Sequence, residues 1–169
     1  MHLDKQIFFF LNSFAGRNEF FDAGWIFLAQ YAIFIFGLVL IYLLRKDRKL
    51  FIRLSAAALI TVVAVTLIKK SLSFPRPFLE ENVRLLIAHI ADSSFPSKHA
   101  AVSFVLAFGI FLEKKKLGAW LLMLAFLISL SRVVVGVHYP VDILAGALTG
   151  ICIAGLSQKL PFLKRKNPL

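Results

Sequence analysis

Long apolar runs separated by short polar segments dominate the hydrophobic pattern of this chain. The first run covers residues 20–44 and ends in a basic cluster, and four more follow at residues 51–68, 97–112, 117–135 and 141–158. Because a membrane-spanning helix needs about 20 mostly apolar residues, each run is a candidate span, although the third is short. Alanine, glycine and serine are frequent in the last four runs and let helices approach closely. The pattern therefore predicts an all-α fold, a polytopic transmembrane helical bundle.

The N-terminal segment, residues 1–17, breaks this pattern. Its apolar stretch, residues 7–11, is too short to cross a bilayer as a helix. We predict a short interfacial N-terminal helix, with a sixth, partly inserted helix as the alternative, so the bundle would have five to six membrane helices. No Gly/Ser/Pro-rich linker, low-complexity tract or internal repeat interrupts the chain, and residues 1–169 are expected to form a single integral-membrane domain.

The longest non-apolar segment covers residues 69–96. Two prolines bracket Arg76 and stiffen the backbone there. We predict that this loop is ordered and contains a short helix over residues 82–90, which would carry His89 as a structural or interfacial residue.

Composition favours a membrane protein over a soluble one. The chain is 59% hydrophobic with a mean hydropathy of +0.80, whereas a soluble domain averages roughly 45–50% apolar residues. The formal net charge of +11 would suggest nucleic acid in a soluble protein. In so apolar a chain it indicates basic loops on one side of a membrane, and no nucleic-acid partner is expected. The single cysteine, Cys152, excludes an internal disulfide framework and a zinc site built on several cysteines.

The basic clusters assign a topology to the predicted spans. With five spans, the loop after the first run, the lysines at 114–116 and the C-terminal tail share one side, which the positive-inside rule makes cytoplasmic. The tail supplies Lys159, Lys164, Arg165 and Lys166. The loop at residues 69–96 and the turn at residues 135–140 then face outward together.

Residues suited to phosphoryl chemistry lie in or beside these two outward segments. They are Lys69, Arg76, Ser97, Lys98, His99, Arg132, His138 and Asp142. His138 and Asp142 are four residues apart, a spacing that can place both side chains on one face at the start of the last run. A carboxylate bonded to one imidazole nitrogen fixes the tautomer and raises the basicity of the other nitrogen. The alternative is that Asp142 only favours the helix start.

The remaining residues each have a structural alternative. Ser97 is positioned to cap a helix whose first turn holds His99, where free N–H groups favour phosphate. Alternatively the helix is merely capped and His99 is interfacial. Arg132 lies in an apolar run, where an arginine marks a functional cavity or extends to the interface. Lys69 and Arg76 either bind phosphate oxygens or are solvated loop cations.

Taken together, these residues favour metal-free phosphoryl transfer on one membrane face. Fixed cations would hold the phosphoryl oxygens, one imidazole would attack phosphorus and a second would protonate the leaving oxygen. The sequence has no run of carboxylates typical of magnesium and no cysteine cluster typical of zinc, so no metal or other cofactor is expected.

The order and spacing of these residues resemble the three-part signature of the type-2 phosphatidic acid phosphatase superfamily, K-x6-RP, PSGH and SR-x5-H-x3-D. The matching positions are Lys69-x6-Arg76-Pro77, then Pro96-Ser97-Lys98-His99, then Ser131-Arg132-x5-His138-x3-Asp142, with Gly136 also in its usual place. The resemblance covers residues 69–142, and it implies a helical membrane bundle that acts as a lipid phosphatase.

The resemblance also implies a role for each matching residue. His138 would be the nucleophile that forms a phosphohistidine, Asp142 would orient it, and His99 would be the general acid and later the base that activates water. Four side chains and two backbone positions would hold the phosphoryl oxygens: Lys69, Arg76, Ser97 and Arg132, with N–H groups near Lys98 and Gly136. No metal would be required.

Lys98 departs from the signature, which has glycine at that position. Lysine is poorly tolerated where the backbone needs a positive φ, so we expect a helical backbone there, at the start of the third span. The added cation would then be placed to meet a second phosphate, as in a diphosphate substrate.

The small size, the aromatic-rich N-terminal region and the outward-facing site are similar to bacterial undecaprenyl-diphosphatases. The resemblance favours hydrolysis of a lipid phosphate or diphosphate, namely undecaprenyl diphosphate to the monophosphate, in a bacterial inner membrane with the site facing the periplasm or cell exterior. Phosphatidylglycerophosphate phosphatase and lipid A 1-phosphatase are the alternative enzymes. An anion-binding transporter or an inactive scaffold is the non-enzymatic alternative. Membrane lipids are the expected surroundings, and the sequence makes no prediction of oligomeric state.

Overall fold

A computed structural model describes residues 2–80 and 82–159, and seven α-helices account for most of these residues. They are α1 (His2–Asn12), α2 (Glu19–Gln30), α3 (Phe34–Lys46), α4 (Arg48–Ser71), α5 (Lys98–Glu113), α6 (Lys115–Val134) and α7 (Pro140–Ser157). A short 3₁₀ turn, Pro77–Leu79, lies in the loop between α4 and α5, and no strand occurs in the part of the chain that is described. The predicted all-α fold is confirmed.

Helix α5 lies at the centre of the bundle and packs against α4, α6 and α7. Its contact with α7 is the most extensive, because α7 presents glycine where the two backbones meet. A Cβ on Gly150 would lie 2.3 Å from the carbonyl oxygen of Ala101, and one on Gly146 would lie 2.5 Å from that of Ser97. This close approach brings the start of α5 beside the start of α7, where several of the predicted site residues lie.

Among the described helices, α4, α6 and α7 are long and apolar enough to cross a membrane. Helices α2 and α3 together would make a fourth span, bent by 45° at the break between them. The span predicted over residues 20–44 therefore falls on a pair of helices that is broken at residues 31–33. The physical reason is a wide turn in which the Phe27 carbonyl accepts from the N–H groups of both Tyr31 and Ala32, which ends α2. Helix α5 is shorter than these spans, with 16 residues.

The N-terminal segment forms the predicted short helix, α1, whose 11 residues are too few to span a bilayer. Its buried face carries Phe8, which packs against Tyr139 with ring centroids 5.1 Å apart. Its exposed face carries Leu3, Ile7 and Phe10. The location of this helix at the membrane interface stays a prediction.

The loop between α4 and α5 contains no α-helix among its described residues, so the helix predicted over residues 82–90 is wrong. The backbone there bonds to other parts of the molecule instead of to itself. Arg84 N–H donates to the side chain of Asn12 at 2.9 Å, and Leu86 N–H donates to the Val135 carbonyl at 3.2 Å. These tertiary hydrogen bonds replace the local bonds that a helix would need.

Two of the basic clusters lie together at the bundle end opposite this loop. Lys114, at the corner between α5 and α6, has its Nζ 3.9 Å from a carboxylate oxygen of Asp47, at the corner between α3 and α4. Arg53 is buried nearby and pairs with Glu113 at 2.9 Å. Of the predicted basic tail, Lys159 is described, whereas Lys164, Arg165 and Lys166 lie outside the described residues.

Candidate active site

The turn between α6 and α7 leads into a buried pair of side chains, His138 and Asp142. Nδ1 of His138 lies 3.2 Å from Oδ2 of Asp142. The same carboxylate accepts from Tyr139 N–H at 2.9 Å and, through Oδ1, from Ser94 Oγ at 3.4 Å. These bonds fix the carboxylate, and the carboxylate in turn fixes the orientation of the imidazole ring.

The other imidazole nitrogen of His138 faces a guanidinium, with Nε2 lying 3.5 Å from Nη1 of Arg76. Burial, together with the positive charges of Arg132 and Arg76, holds the pKa of His138 well below its usual range. The ring is therefore neutral at pH 7. A neutral ring that donates its Nδ1–H to Asp142 keeps a lone pair on Nε2, as a nucleophile or general base requires.

Arg76 is buried, with 2% of its surface exposed, and its donors are shared between two partners besides His138. Nε and Nη2 both donate to Oδ1 of Asp92, at 2.8 and 2.6 Å. Nη1 donates to the Val137 carbonyl at 2.8 Å. Arg76 thus connects the long loop to the residue before His138. Sequence reasoning missed Asp92. The one indication in the sequence was that this acidic residue lies in the same loop as Arg76, a predicted phosphate-binding residue.

Two buried donors beside this pair lack a partner among the described residues: Oγ of Ser97 and Nε of Arg132. Ser97 is the N-cap residue of α5, but the predicted side-chain cap does not form. Its N–H instead donates to the Asp142 carbonyl at 3.0 Å. Arg132 directs Nη1 to the Ala29 carbonyl, 3.0 Å away near the end of α2. Because a buried unpaired polar group costs about 1–3 kcal/mol, each of these donors is suited to bonding an anion.

The other three predicted side chains lie at the ends of α4 and α5. Nζ of Lys69 donates to the carbonyls of Ser93 and Ser94. Lys98 is the exposed first residue of α5, and its backbone is helical, as expected. His99 is half-buried, and its ring makes no hydrogen bond to a described residue. The first turn of α5 therefore presents a cation and an unengaged imidazole at the same end of the bundle as the buried pair.

Gly136 lies in the turn that leads from α6 to His138. Its φ of 89° is in the left-handed region that favours glycine. A Cβ there would lie 2.7 Å from the Arg84 carbonyl oxygen. Its N–H donates to the Val133 carbonyl at 3.0 Å, so this amide closes the turn. The residue therefore shapes the backbone that carries His138.

Replacing Gly136 with alanine is expected to destabilise the protein by at least about 2 kcal/mol. A left-handed alanine costs about 1–2 kcal/mol, and its Cβ also meets the Arg84 carbonyl. Thermal unfolding in detergent measures the effect. Gly24→Ala is the matched control, since a Cβ on Gly24 has nothing within 4 Å. Equal unfolding temperatures for the Gly136 variant and the wild type would contradict the prediction.

Asn12, at the end of α1, is a further residue that sequence reasoning missed. Its Nδ2 donates to the carbonyls of Arg84 (2.8 Å) and Val134 (2.9 Å), and its Oδ1 accepts from Arg84 N–H. The side chain thereby ties α1 and the long loop to the end of α6, next to the turn that holds His138. The only indication in the sequence was that Asn12, a polar residue, directly follows the apolar stretch at residues 7–11.

The assembled site combines the imidazoles of His138 and His99, the carboxylate of Asp142 and several cations. Among the described residues, no three His, Cys, Asp or Glu side chains are grouped as a metal site requires. The cations and the unpartnered donors can hold the oxygens of a phosphoryl group, and Nε2 of His138 can attack phosphorus.

Comparison with known proteins places these features in a family context. The PAP2 superfamily matches residues 48–166. The chain is 36% identical over 157 residues to the bacitracin transport permease protein BcrC of Bacillus licheniformis, covering 90% of this chain and 77% of that protein. It is 30% identical over 167 residues to undecaprenyl-diphosphatase BcrC of Bacillus subtilis, covering 96% and 86%. Its fold is similar to the crystal structure of Aquifex aeolicus LpxE, with a TM-score of 0.81, 32% identity and coverage of 93% and 95%.

Proposed function

The chain belongs to the PAP2 superfamily and is a membrane lipid phosphatase, and on that premise we propose that it hydrolyses undecaprenyl diphosphate to the monophosphate through a phosphohistidine, without a metal ion. The observation that carries the proposal is the buried His138–Asp142 pair, in which Nε2 of His138 lies 3.5 Å from Nη1 of Arg76. The choice of lipid is supported by the Bacillus subtilis relative, which is named an undecaprenyl-diphosphatase.

In the first step, Nε2 of His138 attacks the terminal phosphorus of the diphosphate. The bond from that phosphorus to the bridging oxygen breaks, and its electron pair leaves with undecaprenyl monophosphate. Asp142 stabilises the positive charge on the phosphorylated ring through Nδ1–H, and His99 supplies a proton to the leaving oxygen. In the second step, His99 takes a proton from water, the water oxygen attacks phosphorus, and the P–N bond breaks. Inorganic phosphate leaves, and the imidazole is neutral again.

The donors around the dyad stabilise the charge that develops on the phosphoryl oxygens. Arg132 and Ser97 each contribute a buried donor that has no partner among the described residues. Arg76 is held beside Nε2 of His138, and Lys69 contributes a further positive charge. Preorganised donors of this kind cost no reorganisation at the moment of reaction, which is why they favour the transition state.

A cavity beside the dyad supports an apolar substrate. It has a volume of about 380 Å³ and reaches Asp142, and its surface is mostly apolar, with Phe74, Phe95 and Val141 in the lining. Charged side chains, among them Asp4, Lys5 and Glu80, also line it. We place it at the outer leaflet, because the basic corners at Asp47 and Lys114 lie at the opposite end of the bundle and basic loops face the cytoplasm. The site would then face the periplasm or exterior of a bacterial inner membrane.

The alternatives are a phosphatase that acts on another lipid and an anion-binding transporter. Phosphatidylglycerophosphate and lipid A carry the same phosphoryl group on a different lipid, so the site alone does not separate them from undecaprenyl diphosphate. An anion-binding transporter is favoured by one observation, the name of the Bacillus licheniformis relative. Transport has no obvious need for two histidines and a carboxylate at one anion site.

Phosphate release by the purified protein tests the proposal. The assay contains EDTA and compares undecaprenyl diphosphate, phosphatidylglycerophosphate and lipid A, with His138→Ala as the inactive control. We expect full activity in EDTA and the highest kcat/KM on undecaprenyl diphosphate. A metal requirement, or activity that survives His138→Ala, would refute the mechanism. A higher kcat/KM on one of the other lipids would reassign the substrate.

Replacing Lys98 with alanine is expected to lower kcat/KM on a lipid diphosphate by about threefold to fivefold, and to leave that on a lipid monophosphate nearly unchanged. The reason is that one exposed charge at the start of α5 would contact only the second phosphate. Lys70→Ala, which removes an exposed lysine at the end of α4, is the matched control. Equal losses on the two substrates would contradict this role for Lys98.

A further inference from the structure

A three-residue segment of the long loop, residues 92–94, contacts both cations of the first signature motif. Asp92 accepts two hydrogen bonds from Arg76, and the carbonyls of the next two residues accept from Nζ of Lys69. The hydroxyl of the third residue donates to Asp142. The segment lies outside all three signature motifs, yet it joins the phosphate-binding cations to the partner of the nucleophile.

The contact between Asp92 and Arg76 differs from an ordinary surface ion pair. Only 2% of the arginine side chain is exposed, against 50% of the aspartate side chain. Two guanidinium donors converge on one carboxylate oxygen, while Nη1 donates to the Val137 carbonyl. The guanidinium is therefore held at two edges, and this leaves Nη1 3.5 Å from Nε2 of His138.

The charge of Asp92 works against phosphate binding, so its benefit has to be geometric. Burial raises the pKa of Asp92, but the hydrogen bond and the charge of Arg76 outweigh it and hold that pKa below its ordinary value. The carboxylate is thus ionised at neutral pH and partly cancels the attraction of Arg76 for an anion. Without this partner, two buried guanidinium donors of Arg76 would be unpaired, and only the bond from Nη1 to the Val137 carbonyl would still hold its orientation.

We propose that Asp92 is a positioning residue for phosphoryl transfer, which orients Arg76 so that its guanidinium meets the phosphoryl oxygens beside Nε2 of His138. The inference rests on the proposed function, because it takes a phosphoryl group as the ligand of Arg76. Asp92 acts through Arg76 and does not contact the substrate.

Steady-state kinetics of two variants test this role. Asp92→Asn keeps an acceptor oxygen and removes the charge, whereas Asp92→Ala removes both. We expect kcat to fall about tenfold in the first and about a hundredfold in the second, with a smaller change in KM, since misorientation penalises the transition state most. The exposed Glu19, at the start of α2, provides the matched control Glu19→Gln, which is expected to retain wild-type rates.

A double-mutant cycle separates positioning from a general structural effect. In an Arg76→Lys background, Asp92→Asn is expected to change kcat by less than about twofold, because its effect passes through the guanidinium. Wild-type kcat in both Asp92 variants, or the same fractional loss in the Arg76→Lys background, would overturn the proposal. If Asp92→Ala does not fold, the isosteric asparagine variant decides.

Failure of the proposed function has a different signature, namely a wild-type protein that releases no phosphate from any of the three lipids. The positioning role is then tested by binding of inorganic phosphate, measured as protection against thermal unfolding. We expect half-maximal protection of Asp92→Asn to need about threefold more phosphate than that of the wild type, in line with the smaller expected change in KM. Equal protection of the two proteins would overturn the role of Asp92 independently of the reaction.

Discussion

Replacing His138 with alanine is expected to abolish phosphate release, lowering kcat on the order of 10⁴-fold or more. Among the described residues, His138 is the histidine whose Nδ1 is bonded to Asp142 and whose Nε2 faces Arg76, so we expect no other group to replace it. In the proposed mechanism the covalent intermediate forms on Nε2, so without it the donors around the phosphoryl group would have no nucleophile to assist. Release of inorganic phosphate from undecaprenyl diphosphate is the measurement.

Trapping the intermediate makes the His138 prediction specific. Wild-type protein quenched during turnover of substrate labelled at the terminal phosphate should carry an acid-labile label, and His138→Ala should carry none. His2→Ala, an exposed histidine in α1, should behave as wild type. A thermal unfolding curve close to that of the wild type shows that the loss is chemical. Label on the protein in the absence of His138 would assign the nucleophile to another residue.

Replacing His99 with alanine is expected to slow phosphate release by about 10²- to 10³-fold and to trap the phosphohistidine. The first step needs little help from an acid when the leaving group is a phosphate, whose second pKa is about 6. The second step needs a base to activate water, so its rate falls most. The half-buried, unengaged ring at the first turn of α5 is available for this proton transfer.

Two measurements distinguish the effect of His99→Ala on formation of the phosphohistidine from its effect on hydrolysis. They are the amount of labelled protein during turnover and the rate on substrates with different leaving groups. In His99→Ala, the fraction of protein carrying acid-labile phosphate should rise during turnover of the diphosphate. A lipid monophosphate, whose leaving group is an alcohol, should show a larger loss and no accumulated label, because its first step requires the acid. Unchanged phosphate release in His99→Ala would assign the proton transfers elsewhere.

The sequence could predict those parts of the molecule whose structure depends on residues close together in the chain. Apolar runs of about 20 residues dictate helices because every backbone group in a membrane has to be bonded locally. For the same reason α4, α6 and α7 lie close to the predicted boundaries. The four-residue spacing of His138 and Asp142 works through helix geometry, which needs no knowledge of the rest of the fold.

The parts that sequence could not predict depend on partners far away in the chain. Asn12 bonds the carbonyl of Val134, 122 residues later, and this network replaces the predicted helix over residues 82–90. Asp92 acquires its role only when the loop folds back onto Arg76. The break after Gln30 contains no proline or glycine that would announce it. Such contacts leave no periodic spacing and no biased composition in the neighbouring sequence, so no local sequence pattern predicts them.

The length of α5 has a consequence for how the substrate arrives. Its 16 residues rise about 24 Å, against a hydrocarbon layer of about 30 Å. Both ends therefore cannot reach the two headgroup planes unless the bilayer thins around the protein. If the end of α5 at Glu113 lies at one membrane surface, the end that carries Ser97 and His99 lies several ångströms below the opposite membrane surface. A lipid can then present its phosphate by drifting sideways within its leaflet, with its tail never leaving the hydrocarbon.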